Sequence, residues 1–152
     1  MITFKQSGLI NAPLEKVFTI VSDPRQIPQW RNDVPKISDI SGETKMGTTF
    51  LEEVHFMGTK QLLMKVTEYI PNKKLVIEAQ NGMSILPTQS FTFSSEENKT
   101  RVDLSVTMRV SGVFKLMEFM LPGQLKKFWL KYFENLNQLA TSKSAKLPEA
   151  IK

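Results

Sequence analysis

From Lys45 to Val110 apolar and polar residues alternate with a period of two, the pattern of strands that bury one face. In Phe50-Leu51-Glu52-Glu53-Val54-His55-Phe56 the even positions are apolar except Glu52. Beyond a turn near Gly58, Leu62, Met64, Val66 and Ile70 continue the same phase, with Glu68 the exception. A hairpin through Gly58 keeps even residues of both strands on one face, and its expected pairing sets Glu52 near Val66 and Phe50 near Glu68. Pro71-Asn72-Lys73-Lys74 reads as a turn that pairs Ile70 with Leu75 and moves the apolar face to Leu75, Ile77 and Ala79. Phe91 and Phe93, then Val102, Leu104, Val106, Met108 and Val110, complete that face.

The flanking segments change period. Thr3 to Asn11 reads as a first strand, and Ala12-Pro13-Leu14-Glu15 opens a helix with the apolar stripe Val17, Phe18, Ile20 and Val21. Asp23 is placed to cap a second, short helix that Pro28 interrupts before Trp30. Val34 to Ser41 reads as an edge strand. Asn81-Gly82 and Glu96-Glu97-Asn98-Lys99 mark further hairpin turns. After Ser111-Gly112 a helical pattern runs from about Phe114 to Ala140, interrupted at Pro122-Gly123, with Leu125, Phe128, Trp129, Tyr132, Leu136 and Leu139 on one stripe. The predicted class is α+β: one strand, two short helices, a curved antiparallel sheet and a long C-terminal helix. Such a sheet closes around its last helix and leaves a cavity where the helix departs from the curve.

Several segments resemble the polyketide cyclase/dehydrase-like group of the SRPBCC superfamily. They are Ile10-Asn11-Ala12-Pro13-Leu14-Glu15-Lys16-Val17-Phe18, Asp23-Pro24, Pro28-Gln29-Trp30, Gly47-Thr48-Thr49-Phe50, Val66-Thr67-Glu68-Tyr69-Ile70-Pro71 with Leu75, and Thr100-Arg101-Val102. The resemblance implies a helix-grip (Bet v 1/START-like) domain over residues 1–141, with 142–152 as a flexible tail. It also implies a cavity for lipids, sterols, quinones, plant hormones or polyketides, with an aromatic residue at the rim where Trp30 stands. Some relatives catalyse cyclisation or dehydration, whereas others carry, sense or bind proteins.

Composition narrows the chemistry. The 152 residues carry no cysteine, so disulfides and thiolate catalysis are excluded, and a cytoplasmic location is the expectation. The first residues lack the pattern of a signal peptide, and the apolar runs are too short and too charged to span a membrane. Most of the net charge of +5 lies beyond Val113, a lysine-rich helix and tail. That face either is simply solvated or meets a membrane surface or another protein. Nucleic acid is not an expected partner, because aromatic and basic residues do not interleave on the strands.

Glu52 is the candidate catalytic residue, an acid or base set among apolar neighbours; Glu68 is a weaker candidate of the same kind. His55, the sole histidine, falls on the opposite face, and without a second histidine or a cysteine no metal or other cofactor is expected. The expected ligand-binding residues are Trp30, Phe50, Glu52, Val54, Met64, Gln89, Phe91, Met108, Met117, Leu121, Leu125 and Phe128. Glu52 and Gln89 supply the polar anchors. The sequence points first to a protein, monomer or homodimer, that holds a small hydrophobic molecule. A cofactor-independent cyclase, dehydratase or hydrolase acting through Glu52 is the alternative.

Overall fold

A computed structural model of the protein describes residues 1–56, 58–80 and 85–142. Strand β1 (Ile2–Ile10) leads into helix α1 (Leu14–Ser22), a 3-10 turn (Pro24–Gln26) and the single-turn helix α2 (Ile27–Trp30). Strands β2 (Lys36–Ser38), β3 (Thr49–His55), β4 (Thr59–Ile70), β5 (Lys74–Ala79), β6 (Ile85–Glu96) and β7 (Lys99–Val110) follow. A 3-10 segment (Gly112–Met117) then precedes helix α3 (Leu121–Thr141). All seven strands form one antiparallel sheet in the order β1-β7-β6-β5-β4-β3-β2. Because β1 and β2 are opposite edges, the chain must cross the whole sheet between them. It does so through α1, which packs on β6 and β7, and α2, which packs on α3. No helix among the described residues is long and apolar enough to cross a membrane.

The alternating residues point inward as their spacing predicts. Phe50, Leu62, Met64, Val66, Leu75, Ile77, Phe91, Phe93, Val102, Leu104 and Val106 are all buried. The end of the inner face beneath α1 is filled by aromatic rings, with Phe18 edge-on to Tyr69 at 5.4 Å and to Phe93 at 5.0 Å. Glu97 and Asn98 both take positive φ between the paired Glu96 and Lys99, the conformation a two-residue hairpin turn of matching twist requires.

The pairings differ from expectation in two places. Glu52 lies opposite Leu62 and Phe50 opposite Met64, not Val66 and Glu68. The turn is tighter than expected: the Phe56 N–H donates to the Gly58 carbonyl at 3.0 Å, and Gly58 supplies a φ of 100°. An even shift preserves the faces, so the burial pattern survives although Glu52 and Glu68 do not meet. Farther along β4, a bulge between Val66 and Glu68 turns Tyr69 inward opposite Leu75, while Ile70 faces Lys74 and is 41% exposed. The expected inner face of β5 is correct, but the bulge, not an Ile70–Leu75 pair, produces it.

The two proline-containing breaks are also starts. Pro28 sits in the first turn of α2, where the missing N–H costs no hydrogen bond, so Trp30 is helical. Pro122 opens α3 for the same reason, and Gly123 is helical. The helix therefore begins at Leu121, after a 3-10 segment, and not at Phe114. The Asn81-Gly82 turn and the tail beyond Ser142 lie outside the described residues.

Strand β1 and α3 approach closely at Gly8, where an added Cβ would lie 2.9 Å from the Phe133 ring. Since Phe133 is buried and meets the position near its own Cβ, it has little room to withdraw. Gly8→Ala is expected to lower stability by about 1–3 kcal/mol in urea denaturation.

Candidate functional site

Where the aromatic packing ends, a cavity of about 710 Å³ opens between α3 and the inner faces of β3, β4, β6 and β7. On β3–β4 its wall takes in Val54, Glu52 and Leu62 but stops before the Phe50–Met64 pair. On β6–β7 it takes in Pro87, Met108, Gln89 and Val106 but stops before Phe91 and Leu104. Helix α3 and the segment before it supply Met117, Leu121, Leu125, Phe128 and Trp129. Eight of the twelve expected ligand-binding residues thus share one wall: Glu52, Val54, Gln89, Met108, Met117, Leu121, Leu125 and Phe128.

Trp30, Phe50, Met64 and Phe91 belong to the packed core instead. Trp129 stands between two of them and the cavity, with its ring 6.0 Å from Trp30 and 5.9 Å from Phe91. Phe50 and Met64 lie one inward-facing step beyond the cavity floor. Trp30 and Phe91 also border a small void of about 10 Å³, and the buried Trp30 Nε1–H has no partner among the described residues. Glu68, the weaker carboxylate candidate, is at the bulge and half-buried, paired with Lys74 at 3.2 Å. His55 lies outward beside Glu53 as expected, and the structure brings its Nε2 to 3.3 Å from the Glu53 carboxylate, yet its place at the end of β3 sets it at the cavity rim and not away from the cavity.

The polar floor depends on residues that periodicity does not reveal. Arg31, immediately after α2, is buried and donates to Asp33 through two nitrogens, at 3.2 and 2.8 Å. Its guanidinium carbon lies 4.8 Å from the Trp129 ring and 5.7 Å from that of Tyr132, so two aromatic faces shield the charge. The loop is pinned from both sides. Asn135 of α3 donates to the Trp30 carbonyl at 3.2 Å, and the His55 N–H of β3 donates to the Asp33 carbonyl at 2.7 Å. A Trp-Arg-Asn-Asp run after a short helix would ordinarily read as a solvated loop, which is why the sequence conceals it.

Glu52 is buried with its Oε1 3.6 Å from Arg31 Nη1, and it makes no hydrogen bond to any described residue. Two influences compete there. Burial pushes its carboxyl above the usual range and Asp33 adds to that, whereas Arg31 pulls it down. Burial prevails because the guanidinium is already engaged in the two-nitrogen pair with Asp33, leaving Glu52 only a longer contact. For Arg31 itself burial opposes the charge, but Asp33 and Glu52 outweigh it and hold the guanidinium protonated. Burial, followed by Asp33, likewise raises the Tyr132 phenol. The cavity therefore ends in a carboxyl that burial holds above its usual range, an amide (Gln89) and a guanidinium, beneath mostly apolar walls.

A carboxyl with a raised native pKa contributes stability that is complete below its unfolded pKa and is lost as pH rises through the folded value. Glu52→Gln removes that loss. The variant is expected to match the wild type near pH 4 and to exceed its melting temperature increasingly toward pH 8, as paired thermal scans would show.

Among the described residues no three His, Cys, Asp or Glu side chains cluster so as to hold a metal ion. Solved structures share the architecture. TTHA0849 of Thermus thermophilus superposes with a TM-score of 0.72 at 17% identity, covering 92% of this chain and 99% of its own. Ara h 8.0201 gives 0.69 at 16% identity over 91% and 96%, and a START superfamily protein of Mycobacterium smegmatis gives 0.68 at 17% over 90% and 92%. At such identities the likeness establishes the helix-grip fold. Curated proteins give no match. Residues 1–141 match the model of the family described as polyketide cyclase/dehydrase and lipid transport, and the chain belongs to that family.

Proposed function

We propose that the protein binds a small, mostly apolar molecule whose inner end carries a hydrogen-bond-accepting oxygen. The observation that carries this reading is the cavity itself, whose volume of about 710 Å³ suits a lipid- or polyketide-sized ligand. Val54, Leu62, Val106, Leu121 and Leu125 offer apolar surface, and Met108 and Met117 add thioethers that adapt to varied shapes. At the inner end the Glu52 carboxyl, whose pKa burial raises, donates to an acceptor when it carries its proton, and the Gln89 amide can donate beside it. An anionic Glu52 would instead repel that acceptor, so binding is expected to weaken as pH rises through its titration.

Native mass spectrometry of the purified protein, set against its denatured mass, provides the test. A non-covalent adduct lost on denaturation is expected, as is saturable uptake of the apolar fluorophore 1-anilinonaphthalene-8-sulfonate by protein stripped of that adduct. A bare mass together with no fluorophore uptake would overturn the proposal.

The Glu52 carboxyl also supports a second reading, a cofactor-independent lyase of cyclase or dehydratase type with Glu52 as acid or base. It requires Glu52→Gln to abolish turnover of the identified ligand while retaining its binding.

A further inference from the structure

Between the 3-10 segment and α3 the chain divides its apolar side chains between two surroundings. Met117 and Leu121 line the cavity, while Leu116, Phe119 and Met120 point away from the fold and are 77%, 82% and 60% exposed. Three large apolar residues so exposed within five positions form a patch that a soluble surface does not need. The surrounding charge has one dominant sign. From Ser111 to Glu134 four lysines, Lys115, Lys126, Lys127 and Lys131, stand against two acids. Of these, the Glu118 carboxylate is 3.2 Å from the Met1 ammonium, and that of Glu134 is 3.7 Å from Lys131. Lys131 also borders the cavity, as does the partly exposed Phe128.

We propose that this segment is a docking surface for an anionic lipid bilayer. Leu116, Phe119 and Met120 enter the headgroup boundary, and the lysines lie against the acidic headgroups. Apolar side chains that insert and cations that attract are the two contributions interfacial binding combines. A protein partner would be served by the apolar patch alone, whereas the excess of lysine around it favours a polyanionic surface. Since Met117 and Leu121 follow the same backbone into the cavity wall, docking would bring that wall to the bilayer, where an apolar ligand can pass without crossing water. This last step rests on the binding function proposed above; docking itself does not.

Flotation with vesicles separates the possibilities. The wild-type protein is expected to float with phosphatidylcholine vesicles containing about 30 mol% phosphatidylglycerol, and at least about tenfold less with pure phosphatidylcholine. Raising salt from about 0.1 M to about 0.5 M should weaken the anionic binding severalfold. Leu116→Ser/Phe119→Ser should reduce it about tenfold while leaving the circular dichroism spectrum and fluorophore uptake unchanged, because both side chains are exposed. Equal flotation of this variant, or none of the wild type, would overturn the proposal. So would a wild-type dimer that the double substitution makes monomeric without any vesicle binding, for the patch would then join two copies of the chain. Vesicle binding by a protein that takes up no ligand would refute the binding function and leave the docking intact.

Discussion

Replacing Arg31 with methionine is expected to destabilise the protein by about 3–5 kcal/mol, a large share of the roughly 5–15 kcal/mol that holds an ordinary domain folded. The side chain itself packs well enough, since methionine follows a similar path between Trp129 and Tyr132. The damage falls on what remains. Asp33 loses a two-nitrogen partner at 2.8 and 3.2 Å, and Glu52 loses the guanidinium that opposes the effect of burial on its carboxyl. Two carboxyls then share a poorly solvated site with no compensating charge. Urea denaturation should show the loss to be largest near neutral pH and smaller in acid, where protonation removes the charges left unpaired. Adding Asp33→Asn and Glu52→Gln should recover part of it, because a buried charge cluster removed whole costs far less than one removed by halves.

This cluster also marks the limit of what the sequence discloses. Strand periodicity identifies the inner face from Phe50 to Val110, since burial of one face imposes an alternation that an even shift in pairing cannot disturb. It fails at Ile70, where the bulge after Val66 inverts the phase, a local event with no compositional mark. The prolines mislead for the opposite reason. Pro28 and Pro122 are breakers in a helix interior but favourable in a first turn, and the spacing of apolar residues does not say which position they hold.

The cavity is legible as a surface but not as a boundary. Glu52 and Gln89 stand out because a polar residue in an apolar phase is conspicuous. Which of their neighbours face space and which face another side chain depends on where α3 lies across the sheet. Trp129 decides this for Trp30 and Phe91, and no pattern within β6 or α2 records it. Arg31 and Asp33 lie outside every periodic segment, so their burial becomes visible only when α2, β3 and α3 converge on one loop.

Trp129→Ala is expected to cost about 3–5 kcal/mol and to enlarge the cavity toward Trp30 and Phe91. Its ring is edge-on to Trp30, Phe91 and Tyr132, tilted against Phe133, and lies 4.8 Å from the Arg31 guanidinium carbon, so no single neighbour can collapse into the space it leaves. The lost burial would lower stability in urea, and the same opening should admit bulkier apolar probes than the wild type accepts. Part of the cost belongs to Arg31 and not to the hydrophobic core. With the indole removed, one face of a buried guanidinium loses its aromatic cover, and a desolvated contact of this type contributes about 1–2 kcal/mol. A double-mutant cycle of Trp129→Ala with Arg31→Met isolates that share. The two changes together should destabilise by about 1–2 kcal/mol less than the sum of the separate losses. Strict additivity would mean that Trp129 serves only as a wall and that the charge of Arg31 is held without it, by Asp33, Glu52 and the Tyr132 ring.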